Sequence, residues 1–311
     1  RARSPNPYTP DESSAKVPVE KEVAELIYQK LVKWGLKPQH IGASSVRQNI
    51  VCFWGERQTR KSLLWNGHMD TTPPADEYNL SPYSGPVRGG KLYGLGALDM
   101  KGSLSAYMYA VKALKELGVI LNGRLTLEFV VDEEPGACSK WGTGYLLTKG
   151  FKAKAAIIAE PAGDAYKIGI GHRGGYRFKL TTRGESVHTG VGAWERKQQG
   201  RNAIVDMAKA ISALLSLEIP FKPARAFPGR IPVFTFPTKI SGGTSINMVP
   251  DRCVAYGDVR LMPGNSDAQV KLWIREKLGA LGIDYEIEDL LFVPSVEIDP
   301  KEEIVEVIQR E

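Results

Sequence analysis

Apolar residues recur along the first half of the chain in two rhythms. Val19, Val23, Leu26, Ile27, Leu31 and Trp34 fall on one stripe of a helix over residues 19–34, with Pro18 near its start and Gly35 just past its end. Leu104, Tyr107, Ala110, Val111 and Leu114 mark the inner face of a second helix over 101–117. Short apolar runs lie between and after them, at 49–54, 62–66, 125–131 and 155–159, with a helix over 142–149 between the last two. Continuous runs bounded by turn residues read as strands buried on both faces. The alternation predicts an α/β layered domain.

The pattern changes near Tyr166. Tyr176, Phe178 and Leu180 alternate with Arg177, Lys179 and Thr181, as in a strand with one wet face. A helix over 202–216 follows, then strands at 233–240 and 248–261. Another helix starts after Ser266-Asp267, with Val270, Trp273, Ile274, Leu278 and Leu281 inward, and a strand covers 284–287. The order βαββαβ is that of a ferredoxin-like unit, forming a separate domain with a Pro-rich loop at 219–232.

Composition narrows the classes. A chain of 311 residues can bury a sizeable core in two domains. No apolar run approaches the roughly 20 residues of a membrane span. Residues 1–15 are polar and Pro-rich without the apolar core of a signal peptide. Cys52, Cys138 and Cys253 are scattered and form no CxxC pair, which argues for reduced thiols and a cytoplasmic setting. The net charge of +6 is spread along the chain without a basic run, so nucleic-acid binding is not expected.

The candidate chemistry gathers where predicted strands end. The run at 63–65 leads to Asn66-Gly67-His68-Met69-Asp70, the run at 125–131 to Asp132-Glu133-Glu134, and the run at 155–158 to Ala159-Glu160-Pro161. Open α/β sheets bind ligands at the carboxyl edge of their strands. Packing several carboxylates there without cations costs several kcal/mol per ion, so one or more metals are expected. His68 fits a ligand, with Asp70 nearby to orient its ring. Glu133 and Glu134 can point different ways, one binding metal while the other takes a proton from water. Each stretch alone also admits a plainer reading: a hydrogen-bonded loop histidine, a helix-capping Asp99 after the Gly-rich 94–98, a solvated acidic turn, an exposed Glu160. Together the donors suit Zn²⁺, and also Co²⁺ or Mn²⁺.

Taken in order, these stretches resemble the dinuclear zinc amidohydrolases that include acetylornithine deacetylase, succinyl-diaminopimelate desuccinylase, aminoacylase and glutamate carboxypeptidase. The resemblance rests on Gly67-His68-Met69-Asp70-Thr71, on 96–102, on Asp132-Glu133-Glu134 and on Glu160-Pro161. It continues in Gly184-Glu185-Ser186-Val187-His188, in Ile246-Asn247-Met248-Val249-Pro250 and in Asp258-Val259-Arg260. It implies two divalent metals, with His68 and Glu160 on one, Asp99 bridging and Glu134 on the other. It implies Glu133 as general base, Asp70 as the partner of His68, and a cis peptide after Asp99. His188 would stabilise the oxyanion, reaching the partner's site in a homodimer. Arg173, Asn247 and Arg260 would hold the substrate. The fold implied is a zinc-exopeptidase-like catalytic domain with an inserted ferredoxin-like lid and dimerisation domain: 1–166 catalytic, 167–290 lid, 291–311 returning to the catalytic domain.

One departure stands out. The family's second metal takes a further His near the C-terminus, whereas this chain has only His40, His68, His172 and His188. His172 sits at the start of the lid and is poorly placed to substitute. The expectation is a fragment of a longer chain, because a lid returning into so little chain leaves a half-sheet uncovered, with a reduced relative carrying an impaired second site as the alternative. The activity implied is hydrolysis of the amide bond of an N-acyl amino acid or short peptide. The rivals are a dipeptidase or carboxypeptidase using the same site, and a non-catalytic dimer-forming relative. A nucleophilic serine mechanism lacks its GxSxG motif.

Overall fold

The computed structural model describes residues 2–6, 17–56, 59–75, 80–134, 140–161 and 167–310. Cys138 lies outside them. The chain divides into two compact units, Arg1–Lys167 and Ile168–Glu311.

The first unit contains α1 (Lys21–Lys33), β1 (Gln39–Ile41), β2 (Asn49–Gly55), β3 (Ser62–His68), the small hairpin β4 (Val87–Arg88) and β5 (Lys91–Leu92), α2 (Gly102–Glu116), β6 (Arg124–Val130), α3 (Thr143–Thr148) and β7 (Ala155–Ile158). Its five-stranded sheet has the order β1-β2-β6-β3-β7. Strands β6, β3 and β7 run parallel, whereas β1 and β2 join antiparallel. The apolar stripes of α1 and α2 (Val23, Ile27, Leu31; Leu104, Tyr107, Val111) share a core with Ile50, Leu127 and Phe129. Val51, Val130 and Leu146 form a smaller cluster. The prediction of strands buried on both faces holds for β6 but not for β7, where Ala156 and Ile158 are exposed because β7 lies at the sheet's edge.

Two local features position the carboxyl edge. Gly67 packs so closely that a Cβ there would lie 2.6 Å from Leu104 Cδ2 and 2.7 Å from Met100 Cε. A glycine lets the end of β3 sit this near α2 without displacing the ends of those two side chains. After β6, Asp132 adopts φ 59°, an uncommon conformation for a non-glycine residue. Three partners hold it: its N–H donates to Glu20 Oε1, and its Oδ1 accepts from Arg47 Nη1 and Asn6 Nδ2. Glu20 precedes α1 without capping it, because its carboxylate is committed to the buried Arg47 guanidinium.

The second unit holds β8 (Gly171–His172), β9 (Gly174–Arg183), α4 (Gly192–Glu195), α5 (Ala203–Leu214), β10 (Val233–Gly242), β11 (Arg252–Leu261), α6 (Asp267–Gly279), β12 (Asp284–Val293), β13 (Val296–Glu297) and α7 (Glu303–Arg310). The antiparallel order β10-β11-β9-β12, with α5 after β9 and α6 after β11, is that of a ferredoxin-like βαββαβ unit. Tyr176, Phe178 and Leu180 turn inward with Met207, Ala210, Val270 and Ile274. Ser266 and Gln269 cap α6 reciprocally. Residues 291–311, expected to return to the first domain, fall in the second unit. Leu291, Phe292 and Val293 pair with β9 as the end of β12, and β13 pairs with β8. Among the described residues no helix is long and apolar enough to cross a membrane.

Candidate metal centre

His68 closes β3 and is almost wholly buried. Its Nδ1 lies 3.0 Å from the Asp70 carbonyl oxygen and 3.4 Å from Asp70 Oδ1. A proton on Nδ1 satisfies both contacts and leaves the Nε2 lone pair facing outward as a ligand. Nε2 meets Asp99 Oδ1 at 2.9 Å, Glu160 Oε2 at 3.6 Å and Glu133 Oε2 at 4.0 Å. One ligand atom each from His68, Asp99 and Glu160 lies within 4.8 Å of the others. They come from three places in the chain: the end of β3, the turn before α2 and the end of β7. Asp99 sits in a kinked turn, Ala97–Lys101, and the Asp99–Met100 peptide is cis.

Asp70 is the fully buried hub behind the ring. Its Oδ1 accepts from the Glu133 N–H at 3.1 Å, and its Oδ2 accepts from the Glu134 N–H at 3.1 Å and from Asn6 Nδ2 at 2.8 Å. Burial opposes its ionisation, but hydrogen bonds from His68, Asn6 and Glu133 hold its pKa below the ordinary value. The same backbone contacts fix where Glu133 and Glu134 leave β6. Glu134 stands outside the three-residue cluster, and its Oε1 accepts from the Thr72 N–H at 2.9 Å.

The electrostatics call for positive charge. Burial works against protonation of His68, yet hydrogen bonds to Asp70 and Glu160 and the charges of Asp70 and Glu133 push its pKa up to about 11. Burial lifts Glu133 to about 7, the charges of Glu160 and Asp70 adding to the rise while His68 opposes it. Burial and then the charge of Glu160 raise Asp99; Glu160 itself, despite burial, is held down by its hydrogen bond from His68. Burial and the charge of Asp99 raise Glu134. Three carboxylates, those of Asp99, Glu133 and Glu160, crowd the Nε2 side of one imidazole, an arrangement that fits a divalent cation.

The remaining expected site residues lie in the second unit. His188 and Met248 form an isolated bridge that brings His188 Nε2 within 3.2 Å of the Asn247 side-chain amide. Gly190 N–H lies 3.0 Å from Nδ1, so each ring nitrogen faces a nitrogen donor. Arg173 donates from Nη2 to the Ile231 carbonyl oxygen at 2.7 Å, and burial with the charges of Arg230 and Arg260 depresses its pKa. Arg260 Nε donates to Asp258 Oδ2 at 2.8 Å.

The model described as "Peptidase family M20/M25/M40" matches residues 64–311. The chain belongs to this family. Among the curated proteins it resembles, the N-formyl-4-amino-5-aminomethyl-2-methylpyrimidine deformylase of Bacillus subtilis is 30% identical over 268 residues, covering 77% of this chain and 61% of that protein. The succinyl-diaminopimelate desuccinylase of Bordetella avium is 27% identical, covering 87% of this chain and 71% of its own length. The chain thus spans about 60–70% of the length of these two curated relatives. In fold it is similar to an M20 metallo-carboxypeptidase of Sulfolobus solfataricus (TM-score 0.72, 19% identity, 99% of this chain and 79% of the other). A Bacillus subtilis M20 protein described as a dinuclear metal-binding peptidase also matches (TM-score 0.60, 18% identity, 90% of this chain and 70% of the other).

Sequence reasoning missed the residues behind the ligands. Asn6, Glu20, Arg47 and Asp132 form a buried polar chain leading to Asp70. Asp132, directly before Glu133-Glu134, is the one cue in the sequence; Asn6 and Arg47 carry no local signature.

Proposed function

We propose that the chain supplies the metal centre of a hydrolase that cleaves the amide bond of N-acyl amino acids. The observation that carries this is the convergence of His68, Asp99 and Glu160, with Glu133 beside them and half-buried. Two divalent cations, Zn²⁺ foremost with Co²⁺ or Mn²⁺ as alternatives, would lower the pKa of water and polarise the scissile carbonyl. His68 and Glu160 would hold one, Glu134 the other, and Asp99 would bridge.

Asp70 keeps the His68 proton on Nδ1 and so keeps Nε2 available. Glu133, its pKa lifted to about 7, takes a proton from the attacking water and delivers it to the leaving nitrogen. His188 would stabilise the developing oxyanion, a role worth roughly 3–4 kcal/mol for a well-aimed donor. Arg173, Asn247 and Arg260 bind the substrate's carboxylate and amide ends. The deformylase and desuccinylase names of the relatives support an acyl substrate over a dipeptide. Homodimerisation through the second unit and a reducing, cytoplasmic setting complete the reading; buried, unpaired Cys52 and Cys253 accord with the latter.

The test is a substrate panel with zinc-loaded protein: N-formyl, N-acetyl and N-succinyl amino acids against dipeptides. Acyl substrates should turn over faster. Glu133→Gln should keep zinc stoichiometry and lose about 10²–10⁴-fold in kcat. Wild-type turnover in that variant would remove Glu133 from the mechanism, and faster dipeptide cleavage would favour the dipeptidase.

A further inference from the structure

Residues 2–6 thread into the first unit beside the metal centre. Ser4 and Asn6 are 0% and 1% exposed although they stand near the start of the chain. Pro5 forms a parallel bridge with Thr71, Asn6 N–H donates to the Thr71 carbonyl at 2.8 Å, and Thr71 N–H donates to the Ser4 carbonyl at 2.9 Å. Ser4 Oγ donates to the Met69 carbonyl at 2.6 Å, and Lys101 Nζ donates to the Ala2 carbonyl at 2.9 Å. The segment therefore docks along the residues that connect His68 to Asp70 and beyond.

Asn6 does something more specific. A side-chain amide nitrogen has two hydrogens, and both are used on carboxylates: Asp70 Oδ2 at 2.8 Å and Asp132 Oδ1 at 2.9 Å. Asp70 orients His68. Asp132 sets the bend from which Glu133 and Glu134 emerge. One neutral donor thus joins the two buried acids on which the histidine side and the glutamate side of the centre depend. Arg47 and Glu20 hold Asp132 from behind.

We propose that Asn6 is a positioning residue for the metal centre, clamping Asp70 to Asp132 so that His68, Glu133 and Glu134 are pre-set for the cation. The proposal rests on the metal-centre reading above. Without the clamp, two buried carboxylates face each other without a shared donor, and the His68 ring loses its fixed support. Asn6→Asp places a third acid there and should be worse than Asn6→Ala.

Zinc affinity, measured by competition with a chromophoric chelator, is the readout, together with the ring ¹⁵N shifts of His68. Asn6→Ala should weaken zinc binding about 10- to 100-fold and loosen the Nδ1–H tautomer preference. Ser4→Ala removes a docking bond but leaves the clamp, so it should lower the melting temperature while keeping affinity within about threefold. If Asn6→Ala melts below the assay temperature, Asn6→Ser, which keeps one donor, carries the test with a smaller expected loss. Wild-type affinity in the Asn6 variants, or an equal loss in Ser4→Ala, overturns the clamp and leaves the metal reading standing. A wild-type chain that binds no zinc overturns both.

Discussion

Glu128 shows at the scale of one residue how a strand read as apolar can conceal chemistry. It lies in β6 at 2% exposure, accepts from Asn66 Nδ2 at 2.9 Å, and its Oε1 has no partner among the described residues. Burial lifts its pKa from the ordinary 4.5 to about 7, with Asn66 opposing the rise. The folded state therefore holds the proton more tightly than the unfolded chain. Stability is full below pH 4.5, falls between about 4.5 and 7, and stays lower above that range. At about 1.4 kcal/mol per pH unit the loss is roughly 3 kcal/mol. Glu128→Gln keeps the shape and the contact to Asn66 without the charge. Urea unfolding should find it close to wild type at pH 4.5 and more stable at pH 8. Equal stability at pH 8 would mean that the carboxylate is solvated when ionised.

At the scale of elements, the closest approach is that of β3 to the turn and helix behind it. Gly67→Ala pushes a methyl group to 2.6–2.7 Å from the ends of the Leu104 and Met100 side chains. Both ends are flexible, so the expected cost is about 1–3 kcal/mol in chemical denaturation, with weaker zinc binding because His68 is the next residue. Undiminished stability and affinity would show that the packing there yields freely. The elements themselves were legible. The stripes on α1 and α2 and the alternation in β9 reflect burial on one side, which leaves a local imprint on sequence. The ends of β3, β6 and β7 likewise announced His68, Glu133, Glu134 and Glu160, because acids following apolar runs are conspicuous. The half-exposed β7 was not legible, since its state depends on position in the sheet rather than on composition. Nor was the length of β12, where charged and apolar residues do not alternate regularly past a register shift between Asp289 and Leu291. The Asn6–Asp70 and Arg47–Asp132 contacts join residues 64 and 85 positions apart, and no window of sequence reports such pairs.

The whole molecule is two units with separate cores, one built on Ile27, Leu104 and Phe129 and the other on Tyr176, Phe178 and Ile274. All the candidate ligands, His68, Asp99, Glu134 and Glu160, belong to the first. Linkage then makes an asymmetric prediction. A cation that binds only the folded first unit stabilises it by about 2.7 kcal/mol at a hundred times its Kd, and contributes nothing to the second unit. For units of this size that corresponds to roughly 5–10 °C in melting temperature. Calorimetry in chelator and then in zinc should resolve two transitions, with one moving up and the other fixed. Limited proteolysis during the scan assigns them: the fragment protected by zinc should contain His68 and Glu160. If both transitions rose together, the units would unfold as one, and the second would share the stability of the metal centre. If neither moved, the carboxylates around His68 would be satisfied by the histidine's own proton, and the centre would hold no cation at all.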